Sequence, residues 1–209
     1  MKNQLKLAAS VALLFSFNAA RADLVMEQET SSITGKSHTT MSIKGNMVRT
    51  DVDKESSVII DTASGDMTTL MHEGKMMMKM NTKALAAAAA ATAPTPGTKV
   101  EPAKLVKTGK SEKVGGYDCD LYTMESTGVT TKMWIAKKYP GYDSLKKQLG
   151  TLAKMASNGA EAPEMPGMAI KTETVASGVT FTTMLLSLKE QKVDDAVFKV
   201  PAGYKALGQ

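Results

Sequence analysis

Methionine is the residue that gives this 209-residue chain its most distinctive chemistry, since the chain contains 16 methionines but one cysteine and two histidines. Thioether sulfur is a soft ligand that suits Cu(I), and thioether side chains are also flexible enough to line a site for apolar ligands. Six of the methionines and one histidine crowd into 14 residues: Met67, Met71, His72, Met76, Met77, Met78 and Met80.

The spacing of these methionines leaves both chemistries open. If the segment is a hairpin, Met67 and Met71 share one face of their strand, and Met76 and Met78 share one face of the next. Sulfur atoms from both strands converge when those two faces coincide. The Cu(I) hypothesis therefore rests on four ligands, which are Met67, Met71, Met76 and Met78. The same alternation would equally form an apolar wall, which is the interpretation we favour.

Histidine is scarce in this chain, and the familiar motifs of covalent catalysis are absent. A hydrolase needs a nucleophile and a base, and the base is usually a histidine. His38 and His72 belong to no His-Glu-x-x-His motif, and the sequence has no Gly-x-Ser-x-Gly elbow and no glycine-rich phosphate loop.

Cys119 lies in an alternating strand, where a free cysteine is usually a small core residue. A reactive thiol, a metal ligand and an intermolecular disulfide are the alternatives for this residue. Trp134 is expected in the core or at a rim, with a ligand platform as the alternative. We therefore expect no enzyme activity and no cofactor.

The first 22 residues have the pattern of a cleaved export signal. Lys2 and Lys6 precede an apolar run over residues 7–17, and Ala20-Arg21-Ala22 supplies small residues at the cleavage positions. The apolar run is shorter than the roughly 20 residues that span a bilayer. We expect cleavage after Ala22 and a periplasmic mature protein without a transmembrane segment.

The charge of the mature chain argues against a nucleic-acid partner. Residues 23–209 carry 23 basic and 21 acidic side chains, and Arg49 is their one arginine. Proteins that bind nucleic acid normally concentrate basic residues on one surface. A small apolar molecule, a lipid moiety or a protein remains as the expected partner.

Apolar residues in the mature chain mostly alternate with period two, which predicts about ten antiparallel strands. Two segments depart from this pattern. Residues 82–102 form an alanine- and proline-rich insertion that predicts a short helix followed by a loose connection. Residues 144–157 place leucines at helical spacing and predict one amphipathic helix.

One such helix cannot cover a ten-stranded sheet, so the fold class we expect is α+β, with a curved antiparallel sheet wrapped on the helix as an incomplete barrel. The mature chain is a single domain in this prediction. A groove between sheet and helix would suit an acyl chain or a lipidated protein. Its predicted lining residues are Met76, Met78, Met133, Leu145, Leu149 and Leu152. The third hypothesis is a structural or stress-related adaptor, which docks a protein partner on an exposed strand edge.

Several sequence words together resemble one known family. They are Ile43-Lys44-Gly45-Asn46-Met47-Val48-Arg49, Ile59-Ile60-Asp61, Gly115-Gly116-Tyr117-Asp118-Cys119-Asp120-Leu121-Tyr122, Lys132-Met133-Trp134-Ile135-Ala136 and Phe198-Lys199-Val200-Pro201-Ala202-Gly203-Tyr204. This combination resembles the exported bacterial family called domain of unknown function 4412. That family is similar in layout to the periplasmic lipoprotein carriers, in which a curved half-barrel with a helical lid holds acyl chains. The resemblance implies a fold and a compartment but supplies no catalytic residues, and the insertion at Lys83–Pro102 departs from it.

Overall fold

A computed structural model describes residues 23–92, 103–126, 129–143, 145–146, 150 and 163–207. Within these residues the protein is mostly β, with a large open curved sheet. Twelve strands form it: β1 (Leu24–Ser32), β2 (Gly35–Lys44), β3 (Met47–Val52), β4 (Ser56–Asp61), β5 (Asp66–Met71), β6 (Met76–Asn81), β7 (Lys104–Val114), β8 (Tyr117–Ser126), β9 (Val129–Ala136), β10 (Met168–Ala176), β11 (Val179–Glu190) and β12 (Lys205–Ala206).

The sheet consists of two meanders joined at its centre. Its strand order is β12-β6-β5-β4-β3-β2-β1-β11-β10-β9-β8-β7. The join is the antiparallel pair of β1 with β11, which brings Leu24 opposite Glu190. The two edges are β12, which pairs with β6 in parallel, and β7.

The helix α1 spans Thr82–Thr92, as the alanine-rich composition predicts. It follows β6 directly, and the side chain of Asn81 accepts a hydrogen bond from the Ala84 backbone N–H at 2.9 Å. This is the usual way in which an asparagine satisfies a free donor in the first turn of a helix. Among the described residues, no helix has both the length and the apolar character needed to cross a membrane.

Two core clusters lie on the sheet. The first contains Leu24, Ile43, Val48 and Leu145, all between 0% and 6% exposed. The second consists of Val114, Cys119, Trp134, Ala136, Met168 and Ile170. Leu188 packs against both clusters, so the apolar interior is continuous across the central pair of strands.

Residues 191–207, which we call the C-terminal strap, fasten the sheet. The strap begins with a hydrogen bond from the Gln191 N–H to the Asp23 carbonyl at 3.0 Å. In the middle of the strap, the Val193 carbonyl accepts a hydrogen bond from the Lys44 ammonium at 2.7 Å. A short 3-10 turn, Asp195–Phe198, follows, and the strap ends with a bond from Leu207 N–H to Met77 carbonyl at 2.8 Å. It therefore crosses the sheet from β1 to β6.

The architecture corrects the sequence prediction in two respects. The sheet has twelve strands rather than about ten, and it is not wholly antiparallel, since β12 pairs with β6 in parallel. The strand β12 was not predicted because it is only two residues long and shows no alternation in the sequence. The described residues are also mainly β rather than α+β. Most of the amphipathic helix predicted over residues 144–157 lies outside the described residues. Of the positions around its start, residues 142–143, 145–146 and 150 have helical backbone.

Candidate functional site

The methionines of β5 and β6 share one face of the sheet. Antiparallel pairing places Met71 opposite Met76 and Met67 opposite Met80, while Met78 lies opposite Thr69. Directly paired residues project on the same side, so five thioether side chains lie on one surface. We call this side of β1–β6 the methionine face. The spacing of these residues in the sequence left open whether the two strand faces coincide. The observed register shows that they do.

The methionine face is continuous with the first core cluster. The strands β1 to β6 pair in order with no register shift, which places Leu24, Ile43 and Val48 on the same side as the methionines. Leu145, from the segment that follows β9, packs on these three residues. Leu145 therefore covers part of the sheet at β1–β3 on the methionine side.

Cover is incomplete over β5 and β6. Met76 is 37% exposed and Met78 is 41% exposed, and the other three methionines that β5 and β6 contribute to this face are partly buried. On the opposite side of the sheet, Leu70 of β5 is 0% exposed, and Ser57 and Ile59 of β4 are 0% and 5% exposed, whereas Lys79 of β6 is exposed. The exposed apolar side chains of β6, Met76 and Met78, therefore lie on the methionine face, although side chains of this type are ordinarily buried.

The predicted lining residues fall in more than one place. Met76 and Met78 lie together on β6, and Leu145 lies on the same face over β1–β3. Met133 lies in a row of directly paired residues with Thr30, Thr183 and Thr172, and this row also starts from the methionine side of β1. Seven strands separate β9 from β6 along the sheet, so pairing does not bring Met133 next to Met76. Leu149 and Leu152 lie outside the described residues.

The back of β3–β5 holds a polar network that sequence reasoning missed. Arg49 donates to both carboxylate oxygens of Asp51, with Nε at 2.8 and 3.1 Å, to Ser57 at 2.9 Å and to the Val197 carbonyl of the strap at 2.9 Å. His72 contacts the Ser57 hydroxyl through Nε2 at 2.7 Å.

The Asp51 carboxylate can only accept hydrogen bonds, and this decides which atoms donate in the network. Ser57 donates its single hydroxyl proton to Asp51 at 2.5 Å. His72 then donates from Nε2 to Ser57, and in the neutral ring Nδ1 accepts from the Tyr204 hydroxyl of the strap. Ser57 therefore gives its proton to the acid rather than to the histidine and is itself fully buried. This arrangement fastens the strap and lacks the proton path of an activated serine nucleophile.

Cys119 and Trp134 belong to the second core cluster. Cys119 is 1% exposed, and burial raises the pKa of its thiol, so the nucleophilic thiolate is scarce at neutral pH. Trp134 is 6% exposed, and the Lys171 ammonium lies 4.1 Å from its ring centroid in a cation–π contact. Both are core residues, as favoured from the sequence.

Asp120 forms a separate charged group on β8. Lys107 and Lys137 place their ammonium nitrogens 2.7 and 2.9 Å from one of its carboxylate oxygens. Hydrogen bonds from Lys107, Lys137 and Ser111 hold the pKa of this carboxyl far below its usual range. With both lysines paired to it, Asp120 has the character of a structural ion pair. Within the described part of the chain, no group of three or more His, Cys, Asp or Glu side chains could hold a metal ion.

The fold and the site together define a class: a β-protein with one large open curved sheet, strapped on its back and only partly covered on its methionine face. The chain belongs to the family described as domain of unknown function (DUF4412), whose model matches residues 22–204. This confirms the family resemblance found in the sequence words.

Three solved structures are similar to this chain at low sequence identity. An uncharacterized conserved protein from Thermus thermophilus is 6% identical, with a TM-score of 0.55 over 90% of each chain. PNGF-II is 12% identical with a TM-score of 0.43 over 88% of this chain, which spans only 30% of PNGF-II. A DUF1329 family protein from Desulfovibrio piger is 8% identical with a TM-score of 0.35, over 87% of this chain and 91% of its own. Curated protein sequences gave no significant match. The Thermus protein supports the fold alone.

Proposed function

We propose that this protein is a non-enzymatic binder of an apolar ligand, such as an acyl chain or the lipid moiety of a lipidated protein. The observation that supports this proposal is the methionine face, where Met76 and Met78 are more than one-third exposed on the same side as the buried core. Thioether side chains adapt to ligands of varied shape, so such a surface suits a flexible chain.

The extent of the face supports a chain-like ligand. Strands lie about 4.8 Å apart, so the face from β6 to β1 spans roughly 24 Å, of which the two intervals from β6 to β4, roughly 10 Å, lie outside the part that Leu145 covers. Each methylene buried there contributes about 0.8 kcal/mol, and a long chain can offset the cost of association without a charged partner. The ligand would run from the exposed methionines of β6 toward Leu145 at the covered end.

Replacing Met76 and Met78 by serine is expected to weaken binding of the hydrocarbon probe diphenylhexatriene by about tenfold or more, since two apolar side chains are lost from the binding surface. Probe fluorescence in a titration measures this. Ile33→Ser is the matched control, because Ile33 lies in the β1–β2 turn with 82% exposure, four strands away from Met76 and Met78 of β6. Equal affinities for the double variant and the control would contradict the proposal, and so would a wild-type protein that ignores the probe.

Cu(I) binding is the second candidate function, and the direct cross-strand pair of Met71 with Met76 favours it. Met78 lies on the same face two residues from Met76 and adds a third soft ligand, whereas Met67 pairs with Met80 and lies about 13 Å along β5 from Met71. The variant Met76→Leu/Met78→Leu separates the two functions, since leucine keeps the apolar surface and removes two sulfur ligands. A copper protein would lose its competition with a Cu(I) chelator in this variant. An apolar binder keeps its probe affinity within about twofold, because leucine for methionine nearly conserves volume.

We also propose that the chain is exported to the periplasm and cleaved after Ala22. Asp23 already takes part in the fold: its carboxylate accepts the Val193 N–H at 2.9 Å and lies 3.8 Å from the Lys44 ammonium. Cleavage before Asp23 leaves these contacts intact. Cell fractionation with N-terminal sequencing is expected to find a periplasmic protein that starts at Asp23, and a protein retaining Met1 in the cytoplasm would refute the export proposal.

A further inference from the structure

Met76 and Met78 differ from their neighbour Met77 in ways that matter for oxidation. Met76 and Met78 are 37% and 41% exposed on the methionine face. Met77 lies on the other side of the same strand, opposite the fully buried Leu70, and is only partly exposed. The strap also runs beside this residue, since Leu207 donates a backbone hydrogen bond to the Met77 carbonyl. Three consecutive residues of one type thus have two different environments.

We propose that Met76 and Met78 are a modification site, at which oxidation to methionine sulfoxide abolishes apolar binding on the methionine face. This inference rests on the proposed apolar binding and adds a control to the same site. The oxidant belongs to the class of peroxides and hypohalous acids. With hydrogen peroxide, a sulfur lone pair attacks one peroxide oxygen and the O–O bond breaks. A sulfur–oxygen bond forms and water leaves, so sulfur loses two electrons and peroxide gains them.

The effect on binding follows from polarity. A thioether is apolar, whereas the sulfoxide carries a strong hydrogen-bond acceptor that loses its water when a hydrocarbon covers it. Met78 faces Thr69 across β5, while Met76 faces Met71 there and lies in register with Lys205 of β12 on its other side. The Thr69 hydroxyl and the Lys205 ammonium are potential hydrogen-bond donors to a sulfoxide. A hydrocarbon that covers the sulfoxide also covers these two donors, and both then lose their contact with water. A bound apolar chain would therefore cover polar groups at both positions, which costs binding free energy.

The face also explains why oxidation should be selective. Attack requires that the oxidant reach the sulfur, so rates follow exposure. The other methionines of this face are buried or partly buried and are expected to react more slowly: Met26, Met41, Met67, Met71 and Met80. The loss of function on limited oxidation is thus expected to depend on the β6 methionines.

The test combines peptide mass mapping with probe titration after limited treatment with hydrogen peroxide. Met76 and Met78 are expected to form sulfoxide about fivefold faster than Met77. Wild-type protein in which both are oxidised is expected to bind diphenylhexatriene about tenfold more weakly than reduced protein. Met76→Leu/Met78→Leu should keep its affinity under the same treatment, and Met77→Leu should remain as sensitive as wild type.

Two results would overturn the inference. One is equal oxidation rates at residues 76, 77 and 78. The other is unchanged probe affinity in protein whose Met76 and Met78 are fully converted, provided that the reduced protein binds the probe. A reduced protein that binds no probe would refute the apolar-binding proposal itself, and the oxidation rates would then still report whether the exposure of β6 is as described.

Discussion

Arg49→Met is expected to lower the free energy of unfolding by about 3 kcal/mol, because removing one partner of a largely buried ion pair leaves the other charge uncompensated. Arg49 is 15% exposed and Asp51 is 31% exposed, and their closest contact is 2.7 Å. The variant also leaves the Val197 carbonyl of the strap without the donor that holds it. Urea unfolding measures the loss, and hydrogen exchange over residues 191–207 should show faster exchange in the strap.

The control for Arg49→Met is Lys36→Met, since Lys36 and Glu29 form an ion pair at 2.8 Å on the surface, with side chains 68% and 36% exposed. Exposed pairs contribute about 0–1 kcal/mol, so this variant should lose little stability. Asp51→Asn in the Arg49→Met background should recover part of the loss, because it removes the orphaned charge. Equal losses for Arg49→Met and Lys36→Met would show that the network behind β3–β5 does not fasten the strap.

Leu24→Ala is expected to lower the free energy of unfolding by about 3 kcal/mol, through lost burial and the cavity that remains. Leu24 is 0% exposed and lies on β1, which joins the two meanders of the sheet. It packs with Ile43, Val48 and Leu145, so its loss weakens the contact between the sheet and Leu145. Urea unfolding curves of the variant and the wild type measure the difference.

Ile33→Ala serves as the comparison for Leu24→Ala, because Ile33 is 82% exposed and substitutions at such surface positions change stability by about 0.5 kcal/mol or less. If Leu24→Ala cost no more than Ile33→Ala, the first core cluster would not be the interior of the folded protein.

The methionine face is the part of the site that the sequence could predict. Residues that alternate along a strand share a face, and the short segment between Met71 and Met76 constrains the two strands to pair closely. Only the register was missing, and a shift of one residue would have moved Met76 and Met78 to the opposite side. The observed pairing of Met71 with Met76 supplies that information.

The polar network behind the sheet could not be predicted in the same way. Arg49 bonds to a carbonyl 148 residues further along the chain, and His72 bonds to a side chain 132 residues away. No local periodicity encodes such contacts, because they depend on where the strap crosses the sheet. The one available signal was that Arg49 and Tyr204 both lie in sequence words of the family resemblance. The two-residue strand β12 escaped prediction for a related reason, since its pairing with β6 is set by the strap.

The pairing of the first strand with the eleventh has a kinetic consequence. Thr30 and Thr183 bond to each other through their hydroxyls across 153 residues of sequence, in the middle of the sheet. Contacts between such distant residues form late, because closing a long loop costs chain entropy before it brings any gain. Spontaneous refolding from denaturant should accordingly be slow for a protein of this size, and a nascent chain that still lacks β11 has no partner for its first strand on that side.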